Sequence, residues 1–371
     1  MMNHSEFATL PTARQLQLME GALKTVTNPA QVFGDNPKRV NKVYRRLSKV
    51  FHPDAGGNEA VFQMLTALYE RAKQDIADGE YGNANVLGMV RAVEDGTLIE
   101  LNTLLGEGDA HRVYAGTNEV VGMPQVAKVC ISPDYEFASE NEEFILRALQ
   151  SAPGYDTVRH YFPQFVLVGR NAVGARVNVL SYDRNFIAHP SELASLKTVV
   201  DSIGFLDVRH IGWIWRKLLL GMKFAHHHGV IHACLTPDNI LLTVHPDKHG
   251  VVLGGWIHAS YNQSALTSIS VDWLDSIYPP DAVVNERVAP LPALDVYMAA
   301  ASMNWACPLM PTELITYFNW CMAHNPLARP SDMDFMLQEF DSVIFDTLGW
   351  KREFVPLNYA SSQVDWSWFH G

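Results

Sequence analysis

Apolar positions recur every three or four residues from Val40 to Phe51. Val40, Val43, Tyr44, Leu47 and Phe51 share one side, while Lys42, Arg45, Arg46 and Lys49 fall on the other. That period predicts a helix with one packing face and one basic face. The chain then reads His52-Pro53-Asp54-Ala55-Gly56-Gly57-Asn58. Pro53 disfavours helical backbone at His52, the two glycines supply left-handed backbone, and Asn58 can cap a following helix. Val61, Phe62, Leu65, Leu68 and Tyr69 form the complementary stripe of that helix. Two antiparallel helices with an exposed His-Pro-Asp tip are expected. An earlier helix is expected over residues 12–25, where Leu16, Leu18, Met19, Ala22 and Leu23 mark a packing face, and a short one from Asn28 to Gly34.

The pattern changes after Lys73. The run DGEYGNAN, residues 78–85, is polar and glycine-containing, and a linker is placed over 78–96. From Thr97 strand-like segments follow, TLIELNTLL, HRVYAGT and PQVAKVCIS, separated by glycine-bearing turns. Glu140 to Gln150 has helical period, and two more strands are expected at Phe165–Gly169 and Arg176–Ser181. From about Asp207 to Leu348 the chain reads as mostly helical. An aromatic tail over 351–371 ends DWSWFHG, with Trp366, Trp368 and Phe369 read as a strap over the preceding lobe.

Composition narrows this picture. A chain of 371 residues favours two or more folding units, and 48% hydrophobic with 18% charged residues is a globular balance. The net charge is −12, but residues 1–80 carry ten Lys/Arg against nine Asp/Glu, so the remainder holds −13 and should repel nucleic acid. Cys130, Cys234, Cys307 and Cys321 stand far apart, which fits a reducing compartment rather than a disulfide framework or zinc finger. Neither a secretion signal nor a membrane span is indicated. The expected location is the cytoplasm, the host's if the chain is viral.

VYRRLSKVFHPDAGG followed by VFQMLTALYERA resembles the core of a J-domain, the DnaJ-type co-chaperone module, over residues 28–77. The resemblance implies that His52, Pro53 and Asp54, with the basic side chains Lys42, Arg45, Arg46 and Lys49, dock on a DnaK-type chaperone and stimulate its ATPase. The family's fourth helix is not recognisable.

Residues 97–350 resemble a protein kinase fold. LGEGDAHRVYAG is similar to the glycine-rich loop, with Gly106 and Gly108 in register and His111 at the third glycine. Lys128 and Glu142 stand at the family's strand lysine and helix glutamate; the resemblance implies that the lysine grips the ATP phosphates and the glutamate holds the lysine in place. VIHACLTPDNILL resembles the catalytic loop: His232, Leu235, Pro237 and Asn239 match, but Cys234 replaces the catalytic aspartate. VVLGGWIHA stands at the metal-binding motif, with Gly255 where a carboxylate would hold Mg²⁺. Tyr278-Pro279-Pro280-Asp281, Asp295-Val296-Tyr297 and Asn325-Pro326 with Arg329 resemble later structural landmarks.

The expected architecture is α+β: an N-terminal helical extension (1–27), an all-helical J-domain hairpin (28–77), a linker (78–96), a bilobal kinase-like domain (97–350) and the tail. Gly106, Gly108, Lys128, Glu142 and Asn239 leave ATP binding open, whereas the lost carboxylates argue against Mg²⁺ binding. No metal site is assigned, since His226, His227, His228 and His232 lack a carboxylate or cysteine partner at suitable spacing. The function expected is that of a co-chaperone whose degenerate kinase-like domain holds an unidentified client protein. The alternatives are an atypical serine/threonine kinase using Lys128 and Asn239, and a scaffold that binds ATP without hydrolysing it.

Overall fold

A computed structural model describes residues 12–357 apart from 25, 27, 35, 79–80, 82–86, 119–121, 245–246, 263, 267, 285–289 and 352. The expected strap of Trp366, Trp368 and Phe369 therefore lies outside the described residues, as does much of the DGEYGNAN run.

The described residues open with four α-helices, α1 (Thr12–Lys24), α2 (Pro29–Phe33), α3 (Val40–Phe51) and α4 (Glu59–Ala77). Their starts follow from local chemistry. The Asn28 side chain accepts from the Ala30 N–H at 2.8 Å while Gln31 reaches back to the Asn28 N–H, a capping box that begins α2. Asn58 accepts from the N–H groups of Ala60 and Val61 and begins α4. Met19, Phe33, Val43, Leu47, Phe51, Val61 and Leu65 are buried together in a core of their own. Each fully buried Val, Leu or Phe contributes roughly 1.5–3 kcal/mol of transfer free energy, which holds α3 against α4. Tyr44 stacks on Tyr69 with centroids 3.9 Å apart, and its hydroxyl lies 3.2 Å from that of Thr66.

Next comes a closed antiparallel barrel in the order β1-β2-β3-β4-β6-β5, formed by β1 (Gly88–Ala92), β2 (Leu98–Glu107), β3 (His111–Asn118), β4 (Met123–Cys130), β5 (Gln164–Asn171) and β6 (Arg176–Ser181). Alternate residues Ile99 and Leu101, Ala127 and Val129, and Val177 and Val179 fill its interior with Val90. The barrel corrects the expected boundary. The sequence pattern puts Gly88–Ala92 in the linker, yet it pairs with both β2 and β5 and closes the sheet. Five residues are too few to show alternation, and one partner, Asn171 opposite Val90, lies about eighty residues downstream. Between β4 and β5 stand α5 (Glu136–Ser151) and the single turn α6 (Tyr155–Val158).

The remaining lobe is mainly helical. It contains β7 (Leu193–Ser195), α7 (Leu196–Ile203), α8 (Val208–His227), the short strands β8 (Val230–Ile231), β9 (Ile240–Thr243), β10 (Val251–Leu253) and β11 (Ser260–Tyr261), then α9 (Pro280–Val284), α10 (Pro292–Ala306), α11 (Thr312–Cys321) and α12 (Met333–Asp341). Trp215, Leu218 and Met222 of α8 lie at its centre, and α10 is buried around most of its circumference. Among the described residues no helix is long and apolar enough to cross a membrane.

Candidate functional site

Two places bring the singled-out residues together. The first is the turn between α3 and α4. His52 leaves the helix in extended backbone (φ −63°, ψ 134°), as a residue before proline must, and Pro53–Ala55 form a single 3-10 turn. Gly56 then takes φ 84°, and the Gly57 N–H donates to the His52 carbonyl at 3.0 Å. Gly57 has no substitute, because a Cβ there would sit 2.2 Å from the Phe51 carbonyl oxygen. The Asp54 N–H donates to His52 Nδ1 at 3.2 Å, and the imidazole meets the Phe62 ring edge to face at 4.7 Å. The ring is thus oriented from two sides with Nδ1 as acceptor, which leaves Nε2 to carry the proton of the neutral form. The His52 side chain is 44% exposed and that of Asp54 92%. Lys42, Arg45 and Lys49 are exposed along α3 and Arg46 is half-buried, so the helix that leads into the tip carries accessible positive charge.

The second place is the cleft between the barrel and the helical lobe, with a volume of about 1240 Å³. Lys128 on β4 meets Glu142 of α5 in a buried ion pair. Burial works to raise the Glu142 pKa, but the Lys128 ammonium beside it wins and holds the carboxyl below its ordinary value. Asn178 secures the pair, donating to Glu142 Oε2 at 3.1 Å and to the Ser139 carbonyl at 2.8 Å. Sequence reading missed Asn178, although an asparagine inside the apolar run RVNVLS was a visible signal. His111 is not a spacer in the loop. Its ring is buried, Nε2 lies 2.7 Å from Ser139 Oγ, and burial, with Lys128 nearby, pushes its pKa down to about 3. Gly106 and Gly108 hang over open space, with nothing within 4 Å of where a Cβ would stand. The loop is also anchored by a contact the sequence did not announce, from Ser270 Oγ to Asp109 Oδ2 at 3.2 Å.

On the opposite wall the landmark residues do assemble. Asp295, fully buried on α10, accepts from the N–H groups of His232 and Ala233 at 2.8 and 2.7 Å and from His226 Nε2 at 2.7 Å. These bonds hold Ala233 in left-handed backbone, φ 58°. His232 donates from Nε2 to the Gly254 carbonyl and packs against Trp256. Asp281 and Arg329 form an ion pair that ties α9 to the segment before α12. Asn141 of α5 donates to the carbonyls of Ile257 and Ala259, fastening the upper lobe to the lower.

The positions expected to perform chemistry are filled otherwise. The Cys234 thiol is buried, and burial pushes its pKa up to about 12. Asn239 Nδ2 turns to the Cys234 carbonyl at 2.9 Å and sulfur at 3.2 Å. Gly255 sits at φ 71°, and a Cβ there would fall 2.1 Å from Asn239 Oδ1. The amide thus occupies the space a carboxylate at 255 would need. Asp238, the one acid between Val230 and Leu242, accepts from the Trp273 indole at 2.7 Å. Among the described residues, no three His, Cys, Asp or Glu side chains are grouped to hold a metal ion.

The barrel with its buried lysine–glutamate pair, the helical lobe and the cleft between them define a protein kinase fold, joined to a separate helical unit. Solved structures bear this out. The chain is 13% identical to ROP2 from Toxoplasma gondii, described as a virulence factor with a protein-kinase fold and no enzymatic activity, with a TM-score of 0.51 over 86% of this chain and 98% of that one. A rhoptry kinase from Toxoplasma gondii is 14% identical with a TM-score of 0.50, covering 69% of this chain and 84% of that one. At such identities the likeness establishes the fold alone. No family model matches the chain, and no curated protein matches it either.

Proposed function

We propose that this protein is a J-domain co-chaperone whose kinase-like domain is a non-catalytic scaffold for a client. The observation that carries the first half is the accessible His52-Pro53-Asp54 tip, with its imidazole oriented by the Asp54 N–H and the Phe62 ring and the basic face of α3 beside it. A fixed polar tip next to a band of positive charge suits an acidic protein surface: the charge steers the encounter and the tip sets its register. A DnaK-type chaperone ATPase is the partner that the sequence resemblance implies.

The second half rests on the cleft. Phosphoryl transfer needs a base for the incoming hydroxyl and metal ions to neutralise the charge that develops between phosphates. Here the base position carries a buried neutral thiol, and the site of a metal carboxylate is filled by the Asn239 amide. What survives, Asp295 under the loop, Asp281 with Arg329 and Lys128 with Glu142, are the contacts that keep the lobes in shape. The deciding experiment is a steady-state ATPase assay of a DnaK-type chaperone with and without this protein. Acceleration that His52→Gln removes is expected. An unchanged rate with the wild-type chain, or equal acceleration by the variant, ends the co-chaperone reading. Label transfer from γ-labelled ATP to protein would end the scaffold reading.

A further inference from the structure

Residues 353–357 have neither helical nor strand backbone, yet they are fastened to the start of α8 and to the segment ahead of β10. Trp213 of α8 donates from its indole to His210 Nδ1 at 3.1 Å, which fixes the ring. The His249 imidazole stacks on that indole with centroids 4.3 Å apart and planes 10° from parallel, and Phe354 stacks on His249 in turn at 4.1 Å and 20°. The same imidazole donates from Nε2 to the Val355 carbonyl at 2.6 Å. Three residues beyond Phe354, the Leu357 side chain is buried in the core of the large lobe. Pro356 disfavours helical backbone at Val355, which keeps the segment extended between its two anchors.

A seat for an aromatic ring, a donor for the next carbonyl and a pocket for a leucine are the elements by which a groove reads an extended peptide: the main-chain bond sets register and the side-chain seats select sequence. The rest of the hold is shallow. Glu353, Phe354 and Pro356 are exposed, Phe354 with 52% of its surface in solvent, and Val355 is half-buried. Few contacts must break for the segment to leave. An apolar seat and an imidazole donor are bared when it does, so an occupant of the same chemistry is favoured over an empty groove. Charge adds a preference. Arg209, beyond its pair with Asp207, feels the Glu353 carboxylate, and the charge of Lys217 reaches His249. Both cations favour an acidic residue beside the aromatic one.

We propose that this groove of the large lobe, formed by Trp213, His249 and the seat of Leu357, is where a client is held: it takes an extended segment with an acidic residue, an aromatic residue next to it and a leucine three positions after the aromatic, and the chain's own residues 353–357 occupy it until such a segment displaces them. That the occupant is a client rests on the scaffold reading above; that the groove binds such a peptide does not. Occupation by a tethered segment is intramolecular, so a free peptide competes against a high effective concentration. The test is fluorescence anisotropy of a labelled peptide of residues 350–358 titrated with the full chain. Weak binding is expected for the wild type, and binding tighter by about tenfold or more for Phe354→Ala with Leu357→Ser, which loosens the chain's own segment. Phe354→Ala alone, at a half-exposed ring, leaves the buried leucine in place should the double variant fail to fold, and is expected to tighten binding roughly threefold. His249→Ala added to either variant removes the stacking face and the donor and is expected to abolish the gain, and a peptide carrying F354S and L357S is expected not to bind. No tightening in a folded variant, equal binding of the altered peptide, or a gain that survives His249→Ala would overturn the proposal. Neither chaperone nor ATP enters this measurement, so a peptide that fails to bind leaves the co-chaperone and scaffold readings to their own assays, and failure of those assays leaves the groove to this one.

Discussion

In His52-Pro53-Asp54 the N–H of Asp54 donates to His52 Nδ1 at 3.2 Å; in His232-Ala233-Cys234 the N–H of Cys234 donates to His232 Nδ1 at the same distance. The local device is one and the same, a histidine ring set by the backbone two residues on. Its surroundings differ. The first tip projects from a two-helix turn, and its third residue is an exposed carboxylate. The second lies under α10 and Trp256, and its third residue is a buried thiol. A polar group on a solvated turn costs little to keep and is free to meet a partner. A charge in a sealed loop is costly without a counter-ion, and the neutral thiol of Cys234 avoids that cost.

The contrast can be broken by exchanging the character of the two tips. His52→Gln is expected to reduce stimulation of a DnaK-type ATPase at least tenfold while the circular dichroism spectrum stays as it is; a variant that still stimulates would show that the tip is only a turn. The reverse exchange, Cys234→Asp with Gly255→Asp, is expected to yield no phosphoryl transfer and to lose about 4 kcal/mol or more of stability in denaturant titration. One carboxylate would be buried, and the other would collide with Asn239 on left-handed backbone. Recovery of label transfer in a stable double variant would contradict the account of the cleft given above. Lys128→Ala removes the partner of a fully buried carboxylate and is expected to cost about 3–5 kcal/mol by the same titration.

Acid probes the cleft more gently. His111, with a folded pKa of about 3, is neutral when folded but takes a proton near pH 6.5 when unfolded, so the unfolded state binds more protons between those values. Stability is therefore full above pH 6.5 and declines as pH falls toward 3. From pH 6.5 to 5 the contribution of this residue is about 2 kcal/mol, and His111→Gln is expected to flatten the pH dependence of the melting temperature accordingly. Smallest of all, Lys42→Ala with Lys49→Ala is expected to slow association with the chaperone roughly threefold to tenfold at low salt and to have little effect at high salt. A salt-independent change would remove these side chains from the encounter.

Much of this was legible in the residues. The period of Val40, Val43, Leu47 and Phe51 announced α3, and the proline and glycines after it announced the turn, because both signals are local. Lys128 with Glu142, and Asp281 with Arg329, were found through a resemblance that fixed their order along the chain, and the fold then brought each pair together. Where β1 runs, how Asn178 braces the ion pair and how Asp109 reaches Ser270 could not be read in this way. Each depends on a partner tens to more than a hundred residues distant, and a five-residue strand or a single polar side chain carries no period of its own.

The sequence alone determined which groups are present: a histidine, proline and aspartate in a turn, a basic helix before them, and a cysteine and a glycine where a kinase has acids. Only the tertiary structure decided how those groups are used. It left the imidazole of His52 in reach of solvent, closed Asn239 over the space at Gly255, and set Val26 and Gln31 of the helical unit into the wall of the cleft. Accessibility and adjacency are properties of packing. They arise when segments far apart in the chain bury their apolar faces against one another, and no residue carries them by itself.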